Sequence, residues 1–285
     1  MSSDNVASPK QETPEIGRCL QTGRMKTNFH DVGDGTPVLL IHGSGPGVSA
    51  WANWRLVLPH LKDKARAIAP DMAGFGYTEL SESFTFSIDT WVNQLTALLD
   101  ALKIDRASII GNSFGGGIAL QFAARHPARV DRLVLMGSVG ASFPLTYGLD
   151  RVWGYKASRE NMRELIGIFA YNKKIVTDDL VDLRYRASVR GDVQERFSQL
   201  FPAPRQRWID ALALDVATLK ALPHQTLLVH GKDDEVIPLQ ASESLKSLLP
   251  NAKLIVIDKC GHWVQIEHTD TFVRELVGFL NLKPA

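Results

Sequence analysis

Two cysteines in 285 residues, Cys19 and Cys260, are too few for a disulfide framework, and a reduced, cytoplasmic setting is expected. No apolar run reaches the roughly 18 residues that a membrane-spanning helix needs. The formal net charge is only +1, so neither nucleic acid nor an anionic membrane is an expected partner. Gly-Lys-Ser/Thr does not follow any glycine loop, and G-x-G-x-x-G is absent, which removes the phosphate-loop and dinucleotide fingerprints. No cysteines, histidines and carboxylates stand at metal-ligand spacing, so no metal and no cofactor are expected. There is no internal repeat. The opening stretch MSSDNVASPKQETPEIG lacks an apolar core, so residues 1–16 read as a disordered tail rather than a secretory signal.

What the chain does have is apolar material: 45% of it, enough for one large α/β core with an added lid. Short apolar runs read as strands at Gly17–Leu20, Met25–His30, Pro37–Ile41, Ala65–Ala69, Ala107–Gly111, Val130–Met136, Thr226–Val229 and Lys253–Ile257. Helical periodicity falls between them, as at Ser87–Leu102, with Trp91, Leu95, Leu98, Leu99 and Leu102 on one face. Residues 140–207 break this alternation. Met162, Leu165, Ile166 and Phe169 form a helical stripe opened by Ser158, Thr177 opens a second with Leu180, Leu183 and Ala187, and Phe197 to Phe201 suggest a third. The expected organisation is a core α/β domain over residues 17–139 and 208–285, with an all-helical lid over 140–207. The expected fold is α/β, a mostly parallel sheet covered by helices.

The stretch Gly111-Asn112-Ser113-Phe114-Gly115 lies where the fifth of these strands gives way to a helix. A serine on so sharp a turn has a strained backbone, and glycines two before and two after it remove side chains that would clash. Ser113 is then a nucleophile candidate; a plain helix N-cap is the bland alternative. A serine needs a base. Of eight histidines, His262 in Cys260-Gly261-His262-Trp263 follows the last strand and is the best placed. His42 reads as a buttress of the glycine loop and His230 as a satisfied structural residue. Asp71 reads as the cap of a tight loop. The carboxylate that orients His262 lies among Asp233, Asp234 and Glu235. Oxyanion donors are expected in the backbone N–H of Phe114 and, from the loop His42-Gly43-Ser44-Gly45-Pro46-Gly47, that of Ser44. Cys260 reads as a packing thiol.

Several segments together resemble the meta-cleavage product hydrolases of the α/β-hydrolase superfamily, most closely the 2-hydroxymuconic semialdehyde hydrolase branch. They are HGSGPGVSAWANWR (His42–Arg55), PDMAGFGYT (Pro70–Thr78), GNSFGGG (Gly111–Gly117), LRYRAS (Leu183–Ser188), FPAPRQRWIDAL (Phe201–Leu212) and CGHWVQIEH (Cys260–His268). The resemblance implies the α/β-hydrolase fold and the triad Ser113, Asp234 and His262, Asp234 occupying the family's G-x-x-D position. It implies hydrolysis of a carbon–carbon bond in a dienol-keto acid, aided by Ser113 or by water that His262 activates, and a homodimer. It also implies that Arg184 holds the substrate carboxylate and that Gly43, Asn53, Asn112 and Trp263 line the pocket. Without it, Arg184 serves equally as a packed stem whose head reaches water or Asp182. One departure stands out: Arg186 replaces an expected acidic residue. Two apart on a helix, Arg184 and Arg186 should point to different faces. The competing functions are a carboxylesterase or lactonase on the same fold, which has no use for such an arginine, and a ligand receptor that retains the triad without turnover. Dehalogenases and epoxide hydrolases place Asp where Ser113 stands.

Overall fold

The computed structural model describes residues 13–81 and 84–282; residues 1–12 of the expected tail lie outside them. Among the described residues nine strands form one sheet: β1 (Arg18–Thr22), β2 (Met25–Val32), β3 (Pro37–Ile41), β4 (Arg66–Pro70), β5 (Glu79–Leu80), β6 (Ala107–Asn112), β7 (Val130–Met136), β8 (Gln225–Gly231) and β9 (Ala252–Ile257). Their order is β1-β2-β4-β3-β6-β7-β8-β9, with β5 paired to β2. Strands β4, β3, β6, β7, β8 and β9 run parallel, and β1 and β2 add an antiparallel margin.

Side chains alternate across this sheet with period two, so each strand feeds two cores. Leu39, Ile41, Ile109, Leu133 and Leu135 face one core. Val38, Leu40, Ile110, Val134 and Met136 face the other. The first core is closed by α3 (Ile88–Ala101) and α4 (Phe114–Arg125), through Trp91, Leu95, Leu98, Ile118 and Phe122. On the opposite face lie α1 (Ala50–Trp54), α2 (Leu58–Leu61) and α13 (Thr269–Leu280), through Trp54, Leu58, Phe272 and Leu276. Ser87 caps α3 by accepting from Thr90 N at 3.2 Å. Strands buried on both faces explain why β3 and β6 read as continuous apolar runs.

Between β7 and β8 the chain is helical: α5 (Tyr147–Trp153), α6 (Arg159–Phe169), α7 (Asp178–Ser188), α8 (Val193–Leu200), α9 (Gln206–Leu212) and α10 (Val216–Ala221). Ser158 and Thr177 cap α6 and α7 as expected. Helices α5, α9 and α10 were not legible. Each is six or seven residues long, and α5 carries Tyr147, Gly148 and Trp153, poor helix formers that give no stripe. Helices α11 (Leu239–Leu248) and α12 (Val264–Glu267) complete the order. Among the described residues no helix is long and apolar enough to cross a membrane.

Candidate active site

The C-terminal ends of the parallel strands carry the site, as in open α/β sheets generally. The turn from β6 into α4 places Ser113 at φ 54°, ψ −116°, a backbone conformation that strains any non-glycine residue. Close packing holds it there. A Cβ on Gly111 would sit 2.5 Å from Gly115 O, and one on Gly115 would sit 2.4 Å from Ile41 O. Either would push β3, β6 and α4 apart, so both glycines are required for this junction. Ser113 N donates to Met136 O at 2.9 Å and ties the turn to β7. Asn112 Nδ2 donates to the same carbonyl at 3.2 Å, so this amide braces the turn from inside.

His262 follows β9, and its Nδ1 lies 2.7 Å from Asp234 Oδ2. Both side chains are almost fully buried. Asp234 Oδ1 accepts from Val236 N and Ile237 N at 2.7 and 2.9 Å, which fixes the carboxylate. Burial pushes the Asp234 carboxyl up, but His262, His230 and the Ile237 N–H together outweigh it and the net shift is downward. The neighbouring Asp233 is exposed. His262 is pinned from its other side too: its N donates to Phe169 O at 2.7 Å, and its ring stacks on Phe169 at 5.9 Å.

The loop after β3 closes on the serine from the other direction: a Cβ on Gly43 would lie 3.6 Å from Ser113 Cβ. Gly43 N donates to Asn53 Oδ1 at 3.3 Å, leaving Asn53 Nδ2 buried without a protein partner. Among the described residues, Ser44 N and Phe114 N donate to no protein acceptor. Two N–H groups beside a buried serine are suited to developing negative charge. The other polar groups here are structural. His42 Nε2 accepts from Met72 N at 2.9 Å, and burial lowers its pKa to about 4. Asp71 accepts from Ala50 N, Tyr77 N and Asn28 Nδ2, and burial raises it to about 6. His230 is held by Ser242 Oγ and Ile237 O. Cys260 is buried and its thiol is pushed up by that burial.

A cavity of about 590 Å³ runs from Ser113 and His262 under α6 and α7, and Gly43, Ser44, Asn53, Asn112, Arg184 and Trp263 all line it. Around the serine the wall is apolar, with Leu149, Val152, Met162, Ile166 and Val236. Trp263 stacks on Phe169 at 4.9 Å. Arg184 donates to Pro46 O at 3.3 Å, and among the described residues it has no carboxylate within ion-pair distance. Asp182, the alternative partner, pairs with Arg159 instead.

Arg184 and Arg186 both line this cavity, Arg184 half-buried and Arg186 exposed. The buried face of α7 is Val181 and Ser188, and the stripe Leu180, Leu183 and Ala187 faces the cavity. Long arginine side chains on either side of that stripe therefore reach the same space. Sequence reasoning also missed Gln265, whose Oε1 is buried and unpartnered, and Glu15, which lies at the cavity wall. Gln265, three residues past His262, had a positional signal; Glu15 had none.

Residues 36–269 match the family described as the α/β-hydrolase fold. The chain is 54% identical to a 2-hydroxymuconate semialdehyde hydrolase of Pseudomonas sp. strain CF600, over 95% of each chain. It is 53% identical to a 2-hydroxy-6-oxo-2,4-heptadienoate hydrolase of Pseudomonas putida, over 93% of this chain and 96% of that one. The solved meta-cleavage product hydrolase of Pseudomonas fluorescens IP01 superposes with a TM-score of 0.93 at 54% identity, covering 94% of this chain and 98% of that one. A fold, a buried serine turn and relatives this similar along nearly the whole length lead to one assignment: the chain belongs to the meta-cleavage product hydrolases of the α/β-hydrolase superfamily.

Proposed function

We propose that this chain hydrolyses the C5–C6 bond of 2-hydroxy-6-oxohexa-2,4-dienoate-type ring-fission products, releasing 2-hydroxypenta-2,4-dienoate and a carboxylic acid. The observation that carries the reading beyond a generic serine hydrolase is Arg184. A guanidinium with no carboxylate partner among the described residues, in the same cavity as Ser113 and His262, suits a substrate that brings its own carboxylate. A simple ester has no such group.

In this reading the dienol first takes its keto form, with His262 moving the proton. Ser113 then adds to C6 as His262 accepts its hydroxyl proton, and Asp234 stabilises the resulting imidazolium. The oxyanion sits between the N–H groups of Ser44 and Phe114. Collapse breaks the C5–C6 bond, the proton passes to C5, and water releases the acyl group as a carboxylic acid. Gly43, Asn53, Asn112 and Trp263 shape the pocket around the dienoate. The apolar wall takes the C6 substituent, and hydrogen or a small alkyl group is favoured over phenyl. Relatives named for the semialdehyde and the heptadienoate are 54% and 53% identical, whereas one from Burkholderia cepacia named for the 6-phenyl substrate is 31% identical. The helical segment between β7 and β8 acts as a lid. A cytoplasmic homodimer completes the reading.

The test is to mix the protein with the yellow ring-fission products of catechol, 3-methylcatechol and 2,3-dihydroxybiphenyl and follow loss of the visible band. Bleaching fastest with the first two is expected. Bleaching fastest with the biphenyl product would overturn the small-substituent pocket, and hydrolysis of nitrophenyl esters with no bleaching would put the esterase reading first.

A further inference from the structure

Four arginines line the cavity, Arg55, Arg184, Arg186 and Arg190, and among the described lining residues Glu15 is the one carboxylate. That leaves three positive charges in excess, and the reaction needs one arginine for one substrate carboxylate. The surplus is arranged in depth. Arg184 bonds to Pro46 O, two residues beyond Ser44. Arg186 is exposed and the Arg190 side chain is 35% exposed, so these two stand toward solvent.

Arg190 is built into the wall rather than left loose. Its Nη2 donates to Gly76 O at 2.7 Å and its guanidinium lies 3.6 Å from the centre of the Tyr77 ring. Its Nη1 is 3.6 Å from Glu15 Oε2, an ion pair too long for a hydrogen bond. The backbone of Glu15 is anchored, since its carbonyl accepts from Asn28 Nδ2 at 3.0 Å and lies 3.3 Å from His30 Nε2. Arg55 Nη1 donates to Ala52 O at 2.8 Å. These charges act on one another. Burial pulls Arg184 below its usual value, Glu15 opposes that pull, and Arg55 and Arg190 add to it.

We propose that Arg186 and Arg190 form a second, outer anion site at which the substrate carboxylate docks before it passes to Arg184, with Glu15 as the built-in competitor that keeps this site from retaining it. The inference rests on the dienoate reading above. A positive cavity mouth gathers an anionic substrate from solution. Unopposed, the same charge would also hold substrate and carboxylic acid product at the mouth. An anchored carboxylate within reach of Arg190 weakens that hold without abolishing the attraction.

The account makes predictions of opposite sign for two conservative changes. Arg190→Gln should raise KM for the catechol ring-fission product about fivefold, with kcat within about twofold, and Arg190→Lys should restore most of the loss. Glu15→Gln should lower the same KM about threefold and strengthen inhibition by acetate to a similar degree. Both effects should shrink in about 0.5 M NaCl, where screening shortens to a few ångströms. The ratio of dienoate to neutral nitrophenyl acetate kcat/KM should fall in Arg190→Gln and rise in Glu15→Gln. KM moving the same way in both variants, or equal shifts for the charged and neutral substrates, would overturn the outer site. Failure of the wild type to bleach the dienoate would count against the function instead, and acetate inhibition of ester hydrolysis in the three variants would still read the site.

Discussion

Trp153, on helix α5, donates its indole N–H to Ser44 Oγ at 2.8 Å. The helical segment thus grips the loop whose N–H is assigned to the oxyanion. The same indole stacks on Phe201 at 4.5 Å, and Phe201 meets Phe114, source of the other N–H, edge-on at 6.0 Å. Trp153→Phe keeps the stack and removes the donor. It should lower kcat about tenfold with little change in KM, a smaller loss than removal of an oxyanion donor. In a Ser44→Ala background the same change should have almost no further effect, because its partner is already gone; steady-state kinetics of the four proteins measures this coupling.

The Asp234 contact with His262 yields a separate expectation. Asp234→Asn keeps an oxygen for Val236 N and Ile237 N but turns an amide toward His262 Nδ1, favouring the wrong tautomer. Turnover should fall about 10⁴-fold while the thermal midpoint changes little. A loss below about tenfold would remove Asp234 from the triad.

The serine turn predicts a contrast between two glycines. Gly115→Ala forces a Cβ to within 2.4 Å of Ile41 O and 2.6 Å of His42 O, both backbone atoms of the β3 end. It should cost about 3 kcal/mol or more and abolish activity. Gly167 lies within α6 with open space around its Cβ position, so Gly167→Ala should be neutral or stabilise by up to about 1 kcal/mol. Denaturant melts of the two variants make the comparison.

His42 gives the stability curve a sign. Its folded pKa, lowered by burial to about 4, lies below the unfolded value, so between about pH 6.5 and 4 the unfolded chain binds the extra proton. Its contribution is full above pH 6.5 and is lost as pH falls through that window, about 3 kcal/mol in all. Asp71, raised by burial to about 6, acts in the opposite sense: it favours the protonated folded form as pH falls. The measurement is the difference in unfolding free energy between wild type and His42→Gln against pH. The wild-type advantage should shrink toward pH 4, and a flat difference would contradict the assignment.

How much of this was legible in the sequence depended on whether the signal was local. Ser113 between its glycines, His262 after the last strand and the alternation of strands and helices are local patterns, and the structure brings Ser113 and His262 to one cavity. The caps Ser158 and Thr177 are equally local. Helix α5 was not legible because packing, not propensity, holds it: Trp153 and Leu149 are buried under the segment. What the α7 stripe faces was not legible for a related reason. An apolar stripe shows which residues avoid water but not whether they face a core or a cavity, and here Leu180 and Ala187 face a cavity. Glu15 was assigned to a disordered tail, and its contact with Arg190 spans 175 positions, which no local pattern encodes.

The most direct test of the central claim is a product-resolved turnover experiment with 2-hydroxymuconic semialdehyde, comparing wild type with Ser113→Ala. The account predicts rapid bleaching by wild type with equal amounts of formate and 2-hydroxypenta-2,4-dienoate, and a rate several orders of magnitude lower in the variant. Near-normal cleavage by Ser113→Ala, or bleaching by wild type without formate, would contradict it.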